Sequence, residues 1–302
     1  MPTRPLHLML IVAVAVPFIA AVAAGPASAG VAVQADIVQV IETSAFNPPS
    51  PDPSGVALRG GKIYVSDAEV EETKVWKKKN VFIVSRTGEL LKTFATTRFS
   101  KEPAGLDATK KQLIFSDDDI DKIFFVRPGK DRRFGTRDDK VRSFGTRRFG
   151  CNDPEGVALG GGFLFISEGT DAKVFRLSPG RNGIFDGVGP KGDDRVRSFN
   201  TDTPALNQPN PEGIEYRPSS DTLFIVSNRQ NWHVTETTIR GALVQTIEVT
   251  QNGDPLELHS PAGLAWGKAS DSNAKHLYIV DRRVDNSADP DENDGILVEI
   301  SF

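Results

Sequence analysis

Asp153-Pro154-Glu155-Gly156-Val157-Ala158-Leu159, answered by Phe163-Leu164-Phe165-Ile166-Ser167-Glu168, is the phrase around which the whole chain is organised. It consists of a polar residue, Pro, one further residue, Gly and an apolar pair, then a β-run closing on Ser or Val plus an acid or amide. Four other copies open on Asp52-Pro53-Ser54-Gly55, Glu102-Pro103-Ala104-Gly105, Asn210-Pro211-Glu212-Gly213 and Ser260-Pro261-Ala262-Gly263. They are answered by K-I-Y-V-S-D, Q-L-I-F-S-D, T-L-F-I-V-S-N and H-L-Y-I-V-D. The glycines recur at spacings of 50, 51, 57 and 50 residues, with no helical segment between them. A period of this size in β-patterned sequence implies repeated β-units stacked radially, as in an all-β propeller.

Alternation and turn residues divide each period into strands. In the first period they fall at 55–58, 62–66, 80–85 and 89–95, so one blade is four antiparallel strands. The second period repeats them at 113–116, 122–127 and 140–144, the third at 163–167, 173–177 and 195–199, and the fourth at 222–227, 233–238 and 242–249. The fifth has 276–280 and 295–300 and ends one strand short. A spare strand, 35–45 (A-D-I-V-Q-V-I-E-T-S-A), precedes the first repeat. Pairing the N- and C-terminal strands in one blade accounts for both and removes exposed edges. Five blades are therefore expected; six would require a sixth Pro-x-Gly phrase, and the sequence has none.

Residues 1–29 read as a secretory signal peptide: Arg4, an apolar stretch from Leu8 to Ala24, and Ala27-Ser28-Ala29 as cleavage signature. The remainder, 30–302, is expected to be one propeller domain, secreted to an extracellular or periplasmic space, with no membrane span after cleavage. Losing Arg4 makes the net charge of −4 one unit more negative, which argues against nucleic acid as partner. Cys151 is the sole cysteine, so stability must come from packing rather than an internal disulfide. The 18 Phe, against three Tyr and three Trp, suit flat rings packed blade on blade.

In an antiparallel hairpin the start of one strand meets the end of the next, so the Pro-x-Gly and Ser-Asp phrases must gather on one face around a central channel. That face would carry Asp117, Glu168, Asn228 and Asp281 as strand ends, and Glu155 and Glu212 before the glycines. Asp107 and Glu215 lie just inside the first strand, where the other repeats have Ala57, Ala158 and Ala265. So many carboxylates repel each other unless a cation or water separates them. The competing reading is that Asp and Asn here cap turns; Glu155 and Glu212 fit it least, because Glu has little turn-capping use. With no Cys or His cluster, an oxygen-rich set of this kind suits Ca²⁺.

Two outer hairpins repeat one loop, each following Pro-Gly and leading into V-R-S-F. Asp131, Asp138 and Asp139 bracket the first; Asn182, Asp186, Asp193 and Asp194 bracket the second. They either cage a second Ca²⁺ or are Gly-rich structural hairpins, and neither fits EF-hand spacing. No G-x-S-x-G, H-E-x-x-H or P-loop is present. His259, two residues before Pro261, is the candidate general base, with a surface role as its alternative. His233 and His276 begin strands and read as structural.

P-x-G-h-x followed by L-Y-h-x-D resembles the NHL repeats and the regucalcin/gluconolactonase propellers. D-P-E-G-V and N-P-E-G-I are similar to the E-G-I phrase of the SdiA-regulated and phytase-like esterase propellers. The resemblance to the lactonases implies a divalent metal held in the channel by the residue before Gly and the acid ending the second strand. By position those are Glu155, Glu212, Asn228 and Asp281. Two functions are open on this reading. One is a monomeric, calcium-holding module that binds an extracellular protein, glycan or small molecule; the other is a metal-dependent hydrolase of lactones or phosphoesters.

Overall fold

A computed structural model describes residues 30–228, 233–251, 254–255, 258–284, 289 and 291–302. The expected leader, 1–29, lies outside the described residues. The first sheet is Pro53–Arg59, Lys62–Asp67, Val81–Ser85 and Leu90–Phe94. The second is Leu106–Ala108, Leu113–Asp117, Lys122–Arg127 and Lys140–Gly145. The third is Pro154–Gly160, Phe163–Glu168, Lys173–Ser178 and Arg195–Asn200. The fourth is Pro211–Arg217, Thr222–Ser227, Val234–Thr238 and Leu243–Gln251. Pro261–Lys268, Lys275–Asp281 and Ile296–Ser301 complete the series with the N-terminal strand Val31–Glu42. Among the described residues the only helical pieces are three single 3₁₀ turns, and no helix is long and apolar enough to cross a membrane.

Strand alternation turns these units into a ring. Ile63 and Val65 point toward the fifth blade and join Val280 and Leu297 in one core, whereas Tyr64 between them points to Phe115 of the second blade. The same alternation builds cores between the second and third blades (Phe125 with Ile166), the third and fourth (Phe165 with Ile225), and the fourth and fifth (Phe224 with Ile279). Five inter-blade cores close the circle, and Phe supplies at least one ring to each. Burying each such side chain contributes about 1.5–3 kcal/mol, which is how a fold without a disulfide holds together.

The chain termini close the ring as the strand count requires. The N-terminal strand runs antiparallel to the C-terminal strand from Asp36 opposite Ser301 to Glu42 opposite Ile296. It begins earlier than expected, at Val31, and its first half does something the sequence reading did not foresee. Val31 to Asp36 pair in parallel with Gln245 to Thr250, the outer strand of the fourth blade, so the last two blades share one continuous sheet.

The recurring Gly is explained at the axis. A methyl group on Gly156 would lie 2.5 Å from the Glu212 carbonyl oxygen and 2.8 Å from the Ile214 nitrogen of the next blade. On Gly263 it would lie 2.7 Å from Ser54 O and Val56 N, which joins the last blade to the first. The inner strands touch backbone to backbone, and only Gly permits that approach. Ser explains itself similarly: Ser167 Oγ accepts the Gly156 N–H at 2.7 Å and donates to the Glu212 carbonyl at 2.9 Å. Ser116 makes the same bridge from the Gly105 N–H to the Glu155 carbonyl. One hydroxyl thus satisfies a buried amide of its own blade and a buried carbonyl of the next.

Candidate functional site

In the first, third and fifth blades the acid that ends the second strand faces the Pro of the first. Asp67 lies opposite Pro53, Glu168 opposite Pro154 and Asp281 opposite Pro261. These acids hold loops. Asp67 accepts from Ser50 Oγ (2.6 Å) and from the Asp52 and Val70 N–H groups; Asp281 accepts from the His259, Ser260 and Arg283 N–H groups at 2.8–3.0 Å. Asp117 accepts the Ile120 N–H and Glu168 the Asp171 N–H. In these contacts all four behave as turn caps.

The fourth blade shifts this pattern by one residue, and the placement of Asn228 is corrected accordingly. Pro211 lies opposite Ser227, not Asn228, and Ser227 Oγ takes the Asn210 N–H. Asn228 therefore belongs to the next position along, with Ala68, Asp118, Gly169 and Arg282. That position, one step past the strand, is where the mouth is built, and the sequence reading passed over Asp118 and Arg282.

Arg282 is 8 % exposed and lies among the acids. Its Nη2 is 3.1 Å from Glu212 Oε2 and 4.0 Å from Glu155 Oε2. Burial pulls the guanidinium pKa down, but Glu212, Asp52, Glu155 and Glu69 outweigh that and hold it well above its ordinary value. Glu212 also accepts from Asn210 Nδ2 at 2.8 Å, and the same amide reaches Asn228 Oδ1 at 2.6 Å. Glu155 and Glu212 therefore do share one mouth, bridged by a cation of the protein's own.

A second group adjoins them. Asp118 of the second blade and Asp153 and Glu155 of the third each offer an oxygen within 4.8 Å of the others. Asp118 Oδ1 is buried with no hydrogen-bond partner. Gly169 leaves room beside the cluster: a methyl there would sit 2.8 Å from Asp153 Oδ2 and 3.1 Å from Asn210 Oδ1. Burial first, then Glu212 and Asp118, raise Glu155 well above the carboxylate range. Burial likewise lifts Asp118 to about 7 and, with Asp118 and Asp119 behind it, Glu102 to about 8. Among the described residues, the acids of the mouth outnumber Arg282, the cation paired with Glu155 and Glu212.

The other candidates lie apart. Asp107 and Glu215 sit two residues beyond the ring glycines, where they cap neighbouring blades: Asp107 accepts the Leu159 N–H at 2.6 Å, and Glu215 bonds the Trp266 N–H. Burial raises Asp107 to about 6, and burial with Asp107 raises Glu215 further. The His259 side chain is exposed, and its backbone N–H is spent on Asp281. In the first outer loop Asp131 accepts the Arg133 N–H, Asp138 the Asp131 N–H, and Asp139 the Gly135 and Thr136 N–H groups. In the second, Asn182 accepts the Ile184 N–H, Asp193 the Arg181 N–H, and Asp194 the Asp186 and Gly187 N–H groups. Asp186, Asp193 and Asp194 also bring one oxygen each within 4.8 Å of the others, so this loop keeps the geometry for a cation.

The fold is that of a β-propeller. No protein-family model matches the chain, and no curated protein matches its sequence. Among solved structures it is similar to a Myxococcus xanthus glutaminyl cyclase, at 13 % identity and a TM-score of 0.55, over 90 % of this chain and 97 % of that one. A catalytically inactive virginiamycin B lyase from Staphylococcus aureus, with quinupristin, is 14 % identical over 87 % of this chain and 99 % of that one, with a TM-score of 0.46. At such identities the likeness is one of fold alone.

Proposed function

We propose that the chain is a secreted ligand-binding propeller whose mouth takes Ca²⁺ on Asp118, Asp153 and Glu155 and presents that face to an extracellular protein or glycan. The convergence of those three carboxylates from two blades carries the reading. Arg282 pairs most closely with Glu212 at 3.1 Å and reaches Glu155 only at 4.0 Å, so one guanidinium is set against several carboxylates. Oxygen donors alone favour Ca²⁺, which takes six to eight such ligands. Three carboxylates leave coordination positions for water and for hydroxyl or carboxylate groups of a ligand. Asp118 and Asp153 are half-exposed, so the cluster opens outward as a binding rim does.

Calorimetric titration of metal-free protein tests this. One Ca²⁺ per chain, with binding weakened in Asp118→Asn and Glu155→Gln, supports the reading. An identical melting midpoint in chelator and in excess Ca²⁺ would overturn it, because a ligand that binds only the folded state must raise the midpoint. One observation favours an enzyme as second reading: Glu102, its carboxyl raised to about 8, has Asp118 as its strongest charged neighbour and could serve as a general acid beside a metal. Turnover of lactones, aryl esters or phosphoesters that requires Ca²⁺ and is lost in Glu102→Gln would establish it.

A further inference from the structure

On the face of the fifth blade opposite the mouth, Asp271, His276 and Glu299 meet. His276 is the second residue of Lys275–Asp281, Glu299 lies on the C-terminal strand opposite Tyr278, and Asp271 is on the hairpin joining the blade's first two strands. Each offers one ligand atom, and the three atoms lie within 4.8 Å of one another. His276 Nδ1 is 2.7 Å from Glu299 Oε1, which also accepts the Ser270 N–H at 2.9 Å. The other oxygen, Glu299 Oε2, is buried without a partner in a residue only 2 % exposed. The Tyr278 hydroxyl donates to the Lys268 carbonyl at 2.9 Å, and burial first, then Glu299, raises its pKa. Arg86 of the first blade is the neighbouring cation, and its guanidinium donates to the Ala269 carbonyl.

We infer that Asp271, His276 and Glu299 form a Zn²⁺ site that ties the inner hairpin of the fifth blade to the C-terminal strand. A buried carboxylate oxygen with no donor calls for an ion or a water. One imidazole with two carboxylates is a nitrogen–oxygen set that suits zinc and its first-row neighbours, unlike the oxygen-only mouth. Zinc bonds of about 2.0–2.1 Å place tetrahedral ligand atoms about 3.3 Å apart. His276 and Glu299 are already that close, and Asp271, exposed on its hairpin, supplies the remaining movement. Three protein ligands leave a fourth position for water. The C-terminal strand is also the one clamped by the N-terminal strand, so metal here would brace the seam that closes the ring.

Zn²⁺ titrated into metal-free protein in saturating Ca²⁺ is the test, followed by calorimetry and by the visible absorption of Co²⁺ in its place. One Zn²⁺ per chain is expected, with a raised melting midpoint and a Co²⁺ band of four- or five-coordinate intensity. Binding should be weaker by on the order of tenfold or more in Asp271→Asn, whose exposed side chain makes it safe for folding, and lost in His276→Gln. No uptake at millimolar Zn²⁺, or uptake unchanged in both variants, overturns the site. Ca²⁺ that displaces the bound Zn²⁺ overturns the ligand assignment too.

Discussion

Arg282→Gln removes the one cation that, among the described residues, pairs with the mouth glutamates, so it tests the electrostatics directly. In the parent the guanidinium is 3.1 Å from Glu212 and 4.0 Å from Glu155, in a residue 8 % exposed. A unit pair at that separation is worth about 4 kcal/mol at an effective dielectric near 20. Breaking a buried pair by removing one partner costs about 3–5 kcal/mol, because the other charge stays buried. For a domain of this size that lowers the melting midpoint by about 10 °C. The loss should depend on pH. Glu155 has a folded-state pKa raised by burial and by Glu212, so its proton is held more tightly folded than unfolded. Stability of that origin is fully present below the ordinary carboxylate pKa and lost as pH rises through the raised value. The variant should therefore lie furthest below the parent at pH 8 and recover toward pH 5, measured by scanning calorimetry in chelator. Asp118, at about 7, and Glu102, at about 8, give the parent a weaker trend of the same sign. A variant melting within about 2 °C of the parent at pH 8, or a gap that widens in acid, would refute the reasoning.

Gly263→Ala should cost about 1–3 kcal/mol by forcing the last blade off the first, whereas Gly145→Ala, whose added methyl has only one neighbour at 3.7 Å, should be close to neutral in urea unfolding. Equal effects of the two would mean that the ring glycines are not held by contact between blades. Ser167→Ala strips the partner from the buried Gly156 N–H and the donor from the Glu212 carbonyl, so a loss of about 1–3 kcal/mol is expected; unchanged stability would show that water replaces the hydroxyl.

Much of the architecture was legible because its causes are local. Pro, Gly and alternating apolar residues set inner strands and turns within a few residues, and every strand expected from them is present to within a few positions. The pairing of the first strand with the last also followed, since a blade one strand short has one spare to take. The parallel half of that pairing did not. Val31 to Asp36 carry no signal for Gln245 to Thr250, because the register depends on how two finished blades sit against each other.

The site was legible only in part. Glu155 and Glu212 stood out as Glu where other copies have Ser or Ala, and they do share the mouth. Asp118 and Arg282 were hidden one residue past the repeat, in a position that holds Ala68, Asp118, Gly169, Asn228 and Arg282. That divergence beside a regular phrase was the available signal. The fourth blade obscured it, since Ser227-Asn228 imitates the Ser-Asp endings while standing one residue out of step.

The sequence by itself determined the repeated unit and the closure of the ring by its termini, because hydrophobic alternation and turn chemistry act over short distances. It also marked Glu155 and Glu212 as residues of the mouth. Which residues touch there was decided only by the tertiary structure: Asp118 meets Asp153 and Glu155 across a blade boundary, and Arg282 reaches Glu212 across another. Those contacts depend on how neighbouring blades pack, through the backbone approaches at the ring glycines and the cores between blades, which no single repeat encodes.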